Sequence, residues 1–208
     1  MKVTKEFLRE KHACAGGYKW FCENCLELDF ETQIKQLKQH RFDWANWLLV
    51  RLMSLEQKRK YAIFAAEKVL HIFEAKYIDD KRPRKAIEAA AIVVENDTKE
   101  NRSAADAAAD AAYTAYDAAY TVAADAASSA AAASAASAAA SAADTSAYAY
   151  AYADDAAAAA DAAYDAALAV AEDSAYADDA ADAVAALAAI KETIIDKGIE
   201  LIKKDIKK

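Results

Sequence analysis

The chain reads as all-α, a helical bundle of roughly eight to ten helices. Three observations carry this. Only three Gly and one Pro occur in 208 residues, too few for the turns of a sheet protein. Apolar residues recur at helical spacing through the first half of the chain. The stretch Ser103 to Ile190 is mostly alanine, the strongest helix former, and holds no Gly or Pro. Its Ala-Ala-Asp and Ala-Ala-Tyr units recur at steps of three, four and seven, with no fixed solenoid period. A bundle with closely packed Ala-rich helices is expected, with a stacked array of helical hairpins as the alternative.

Residues 1–98 form an aromatic-rich helical part, and residues 99–208 an Ala/Asp/Tyr-rich part closed by a Lys-rich amphipathic helix. One continuous globule is expected. Thr4 is placed to cap a first helix over Lys5 to Lys11. After Gly16-Gly17, Tyr18, Phe21, Cys22 and Cys25 share a helical spacing, and Ile34 and Leu37 mark another short helix. Asp43 is read as the cap of a helix carrying Trp44, Trp47 and Leu48. Ser54-Leu55-Glu56-Gln57 fits a capping box. The helix behind it buries Tyr61, Phe64, Ala65, Val69, Ile72 and Phe73. Ile78 to Arg82 is a polar connection, and Pro83 suits the first turn of the next helix. Asn96-Asp97-Thr98 opens the alanine region. Breaks there are expected at Ser128-Ser129, Asp144-Thr145-Ser146 and Asp173-Ser174, which offer capping side chains. In the tail, Ile194, Ile195, Ile199, Leu201 and Ile202 give an apolar face, with Gly198 as its weak point.

Charge divides the chain in two. Ser103 to Ile190 carries thirteen Asp, one Glu and no Lys or Arg. Against a total of −8, the rest of the chain is therefore +6. Asp106, Asp110, Tyr113, Asp117 and Tyr120 follow steps of four, three, four and three, which is one helix face. Tyr148, Tyr152 and Asp155 repeat the pattern, as do Asp161, Asp165 and Leu168. Asp keeps an alanine helix soluble and Tyr adds packing bulk. Yet Asp has poorer helix propensity than Glu, and like charges four apart repel. The same residues therefore also read as an acidic, aromatic surface that docks a basic partner. Arg82, Arg84 and Lys85 form a basic corner. It either ties the two halves together by ion pairs or receives a small ligand.

No metal site is expected. His12, Cys14, Cys22 and Cys25 are the only candidates, but H-x-C is an unusual ligand pair and Cys22 and Cys25 fall inside a helix. An odd cysteine count suggests reduced thiols. No cofactor fingerprint, P-loop, G-x-S-x-G or H-E-x-x-H occurs, so no enzyme and no cofactor are expected. His71 reads as a histidine at the core edge. The charged start, Met1 to Glu6, does not resemble a signal peptide. No run of about 18 strongly apolar residues is present, so no membrane span is expected. A soluble cytoplasmic protein is the resulting expectation.

Two segments carry a resemblance. His12-Ala13-Cys14-Ala15-Gly16-Gly17-Tyr18-Lys19-Trp20-Phe21 resembles an A-C-x-x-G-x-x-W-F element. The run from Trp44 through Tyr61-Ala62-Ile63-Phe64 and Phe73-Glu74-Ala75-Lys76-Tyr77 to Arg82-Pro83-Arg84-Lys85-Ala86-Ile87-Glu88-Ala89-Ala90 is similar to the core of immunity proteins of bacterial and phage polymorphic-toxin loci. These also continue into an Ala/Tyr/Asp-rich helical tail. Ile78 stands where that pattern has proline, which relaxes the loop. The resemblance implies a protein that binds and neutralises a toxin, with no catalytic residues.

Sequence and resemblance together give a non-enzymatic binding protein of the immunity or inhibitor type. Its surface would be Asp106, Asp110, Tyr113, Asp117, Tyr120, Tyr152 and Asp155, and its partner a protein toxin or effector. The alternative is a phage counter-defence protein, acting as a nucleic-acid mimic or as a sponge for a small, nucleotide-like ligand held by Arg82, Arg84 and Lys85. Direct nucleic-acid binding is not expected beside so large a negative field. Self-association into a homo-oligomer is compatible with alanine-faced helices. The expected location is a bacterial cytoplasm or a phage-infected host cell.

Overall fold

The computed structural model describes residues 2–122, 127–148, 153–174 and 180–206. They form ten helices, and no strand occurs among the described residues: α1 (Lys5–Glu10), α2 (Ala15–Asn24), α3 (Phe30–His40), α4 (Phe42–Leu52), α5 (Leu55–Lys76), α6 (Arg82–Glu95), α7 (Lys99–Val122), α8 (Ala127–Ala147), α9 (Ala153–Ser174) and α10 (Ala180–Ile206).

Local chemistry explains most helix starts. The Thr4 hydroxyl accepts from the Phe7 amide, and the Asp29 carboxylate accepts from the Glu31 and Thr32 amides. At α5 both halves of the capping box are present: Ser54 Oγ accepts from the Gln57 amide, and Gln57 Oε1 accepts from the Ser54 amide at 2.7 Å. Thr98 Oγ1 accepts from the Asn101 amide at the start of α7. Helix α4 departs from expectation. It begins at Phe42 with Arg41 at the cap and no side-chain cap bond. Asp43 lies in its first turn, where Arg41 takes its carboxylate in a bidentate pair.

The alanine helix α8 is the centre of the molecule. It packs on α5, α6, α7 and α9, so helices distant in sequence meet around it and the architecture is a bundle rather than a stack of hairpins. Its alanines from Ala131 to Ala143 are all buried, around the whole circumference. A helix apolar on every side belongs in an interior, and methyl side chains let four neighbours approach closely. Two of the expected breaks occur but are displaced by a few residues, since α7 ends at Val122 and α8 begins at Ala127 and ends at Ala147. Ser128 and Ser129 lie in the first turn of α8, and Asp144, Thr145 and Ser146 continue it to Ala147. Thr145 Oγ1 donates back to the Ser141 carbonyl at 2.7 Å, which satisfies the hydroxyl inside the helix. The third break does fall where α9 ends, at Ser174.

Larger side chains supply the driving force around this thin centre. One apolar cluster runs from Val3 to Ile202 and includes Phe21, Leu48, Leu49, Tyr61, Phe73, Ile194 and Ile195. Phe64 and Ile72, expected inside, are only half-buried, and His71 is exposed. Phe64 instead carries Lys68 and Lys197 above its ring. The tail helix is continuous through Gly198. A Cβ there would lie 2.8 Å from Leu49 Cδ1 and 3.1 Å from the Tyr61 ring. Gly198 is thus the point where α10 crosses α4 and α5, not a weak point.

Candidate functional site

The acidic surface is real geometry on α7. Asp106, Asp110, Tyr113, Asp117 and Tyr120 are all exposed, while Ala105, Ala109, Ala112, Ala115 and Ala119 bury the opposite side against the bundle. The face runs about 21 Å at 1.5 Å per residue. None of its three aspartates is in an ion pair among the described residues. Arg102, four residues before Asp106 on the same helix, pairs with Asp97 instead, as does Arg59. The surface continues onto α8, where Tyr113 Oη donates to Asp144 Oδ2 at 3.0 Å.

The fields of these groups reinforce one another. Burial raises the Asp144 carboxyl above its ordinary value, and Asp106, Asp155 and Asp110 raise it further. Burial pushes the Tyr113 phenol up to about 12. Tyr148 is raised as well, first by Asp106 and then by Asp144. Asp155 is half-buried in the first turn of α9. Tyr152 lies outside the described residues. Of the six exposed large apolar side chains among the described residues, three are Tyr113, Tyr120 and Tyr148 of this surface.

The basic corner is closed on itself. Arg82 is bidentate to Asp80, and Arg84 is bidentate to Glu74, which Lys81 also approaches. These pairs stay within the α5–α6 connection, so Arg82 and Arg84 neither present free charge to a ligand nor bridge the two halves. Lys85 is exposed on α6. Other residues do the bridging. Arg51 reaches Asp154 of α9 at 2.6 Å, Arg59 reaches the Tyr148 carbonyl at 2.9 Å, and Lys38 pairs with Glu192.

His12, Cys14, Cys22 and Cys25 do not converge, and no group of three potential metal ligands forms among the described residues. Cys14 caps α2 by accepting from the Gly17 amide through Sγ. Cys25 is buried, which raises its thiol to about 11.

A second feature is built from residues whose sequence pattern indicates only core. Between α1, α2, α4 and α9 lies a cavity of about 470 Å³, walled by Leu8, Phe21, Leu37, Trp44, Trp47, Leu48 and Ala157. Asp43, Asp154 and Asp161 also line it, with His12 and Cys14. Within the α1–α2 turn, His12 holds a left-handed backbone (φ 57°). Asp161 is fixed from below. Asn46 Nδ2 donates to it at 2.7 Å and to the Ala157 carbonyl at 3.0 Å, while Tyr61 Oη donates to Asn46 Oδ1 at 3.0 Å. Burial lifts the Asp161 carboxyl to about 6, with Asp43 and Asp165 adding repulsion. The sequence signal for this chain of bonds was Asn46, a polar residue between two tryptophans on an apolar face. No protein-family model matches the chain, and neither curated proteins nor solved structures include a match.

Proposed function

We propose that this chain is a non-enzymatic binding protein of the immunity or inhibitor type. Its Asp–Tyr face on α7 covers a basic groove on a protein toxin or effector. One observation carries this: a row of exposed, unneutralised aspartates interleaved with exposed tyrosines, on a helix whose other side is anchored in the bundle. The carboxylates steer a cationic partner and the phenol rings give contact area at small entropic cost. A cytoplasmic setting fits a chain whose described residues hold no helix long and apolar enough to cross a membrane.

The same face supports mimicry of nucleic-acid charge, since Asp144 extends the row beyond α7. In both cases the partner is a protein with a basic groove. A ligand sponge built on Arg82 and Arg84 is less favoured, because their partners Asp80 and Glu74 already occupy both guanidiniums.

The test is crosslinking with mass spectrometry in host lysate, comparing the wild type with the triple variant D106K/D110K/D117K. The wild type is expected to crosslink a basic protein through α7, with recovery falling as salt rises. The variant, checked for helicity by circular dichroism, should lose it. Competition by duplex DNA would mark the groove as one that takes nucleic acid. Equal capture by the triple variant would refute the proposal.

A further inference from the structure

The acidic face of α7 makes no use of the cavity between α1, α2, α4 and α9. Its volume, about 470 Å³, lies in the range of roughly 300–1,000 Å³ typical of small-ligand sites. Its wall is apolar and aromatic, its charged groups include three carboxylates, and no Lys or Arg lines it.

Around this cavity one arrangement occurs twice: a carboxylate, an indole and a cation. Arg41 pairs with Asp43 at 2.7 Å and lies over the Trp44 ring at 5.1 Å. Arg51 pairs with Asp154 at 2.6 Å and lies over the Trp47 ring at 4.1 Å. The third carboxylate, Asp161, has no cationic partner among the described residues; its one hydrogen bond comes from Asn46. The charged groups around it do not supply one. Asp43 of α4 and Asp165 of α9 are of its own sign. Asp161 also lines an adjoining recess with His40, Arg41 and Lys191; there His40 stacks on Trp20, Arg41 is taken by Asp43, and Lys191 sits over the Tyr164 ring at 6.0 Å. Asn46 itself is locked by Tyr61 and Ala157, so it holds Asp161 in place rather than neutralising it.

We propose that this cavity binds a small organic cation, a primary ammonium on an aromatic or aliphatic body. Asp161 is the counter-ion, and Trp44 and Trp47 are the walls. A cationic head gives Asp161 the partner that Asp43 and Asp154 already have in Arg41 and Arg51, inside a cavity walled by aromatic and aliphatic carbon where a charge pair is screened less. The ligand body replaces water along Leu8, Phe21 and Ala157, where burial of apolar area favours it. An anion would meet the uncompensated carboxylate of Asp161, with Asp43 and Asp154 already held by Arg41 and Arg51, and is disfavoured by charge. A neutral ligand of the same shape gains the apolar contact but leaves Asp161 uncompensated.

The experiment is tryptophan-fluorescence quenching and calorimetry on the full chain at about pH 7.5, where Asp161 is ionised. The probes are phenethylammonium and hexylammonium, with 2-phenylethanol and 3-phenylpropionate as neutral and anionic shape controls. At least one ammonium is expected to bind saturably, about tenfold or more tighter than the alcohol, the discrimination a charged hydrogen bond gives. D161N keeps the acceptor for Asn46 and should erase that preference. A158L, a substitution at an exposed position on the cavity wall, should weaken every probe while the helical circular dichroism is unchanged. Failure of both ammoniums to bind saturably, equal affinity for amine and alcohol, or a preference surviving in D161N would overturn the proposal. These outcomes are independent of the α7 face, which neither variant touches.

Discussion

Replacing Asp161 with Asn should make the protein more stable at neutral pH and leave it unchanged in acid. The carboxylate is half-buried, accepts one hydrogen bond from Asn46, and faces Asp43 and Asp165 without a cation. Burial is the largest cause of its rise from 3.8 to about 6. The folded state therefore holds this proton more tightly than the unfolded chain does. Stability contributed by the protonated form is complete below about pH 4 and is lost as pH rises through about 6. At about 1.36 kcal/mol per pH unit of difference, the full penalty is roughly 3 kcal/mol. Water at the exposed edge of the carboxylate lowers this to about 2 kcal/mol. Asn has the same shape, carries no charge, and still offers an oxygen to Asn46. Urea unfolding followed by tryptophan fluorescence should show D161N more stable by about 2 kcal/mol at about pH 7.5, and the two proteins coinciding at about pH 4. Asp144 and Asp165, also raised, are common to both proteins and cancel in the difference. A variant that is less stable at neutral pH, or equally more stable at both, would refute the reasoning.

Three further changes probe the packing. Ala139, fully buried in α8, has no room for a larger group, so A139L should cost about 1–3 kcal/mol in urea unfolding. In G198A the gain in helix propensity, about 1 kcal/mol, competes with a Cβ 2.8 Å from Leu49 Cδ1. Because Leu49 and Tyr61 are themselves fully buried, overpacking wins, and thermal unfolding should show a net loss of about 1 kcal/mol. Y61F removes the donor to Asn46 Oδ1 and should cost about 1–3 kcal/mol, since the amide oxygen is then buried without a partner.

The sequence displayed the helices well and their arrangement poorly, for a physical reason. Caps at Thr4 and Ser54, the proline in the first turn of α6 and the Asn96–Thr98 junction are local signals, and each is where the residues place it. The periodicity of Asp106 to Tyr120 likewise identified an exposed face, because a helix with one alanine side and one acidic side can turn only one way. What alanine cannot encode is its own burial. With equal methyls on all sides, α8 has no stripe to read, and the Ser128-Ser129 and Asp144-Thr145-Ser146 clusters mark its ends only to within a few residues, Thr145 bonding back to Ser141 inside the helix. Trp44 and Trp47 were legible as apolar, but not as the wall of a cavity, because that depends on α9 arriving opposite them. Asp161 shows the same gap. In sequence it repeats the stripe of α7, yet α9 turns it toward Asn46 and Tyr61.

The central position of α8 also explains why α7 can carry so many aspartates. Asp lowers helix propensity relative to Glu by a few tenths of a kcal/mol per residue, and a repelling pair at four-residue spacing costs about as much again. In proteins most helical stability comes from packing of one face rather than from propensity. Here the opposite side of α7 is seated on α8 and α6 through Ala105, Ala109, Ala112, Ala115 and Ala119. Helix formation is then driven by docking, and the outer residues are released from any need to favour it. A surface chosen for solubility alone would gain by using Glu paired with Lys, which is soluble and stabilising. The chain has many lysines and places none between Ser103 and Ile190. The exclusion of that stabilising alternative, on a helix held from behind, is the physical support for the proposal that the acidity of α7 serves a partner.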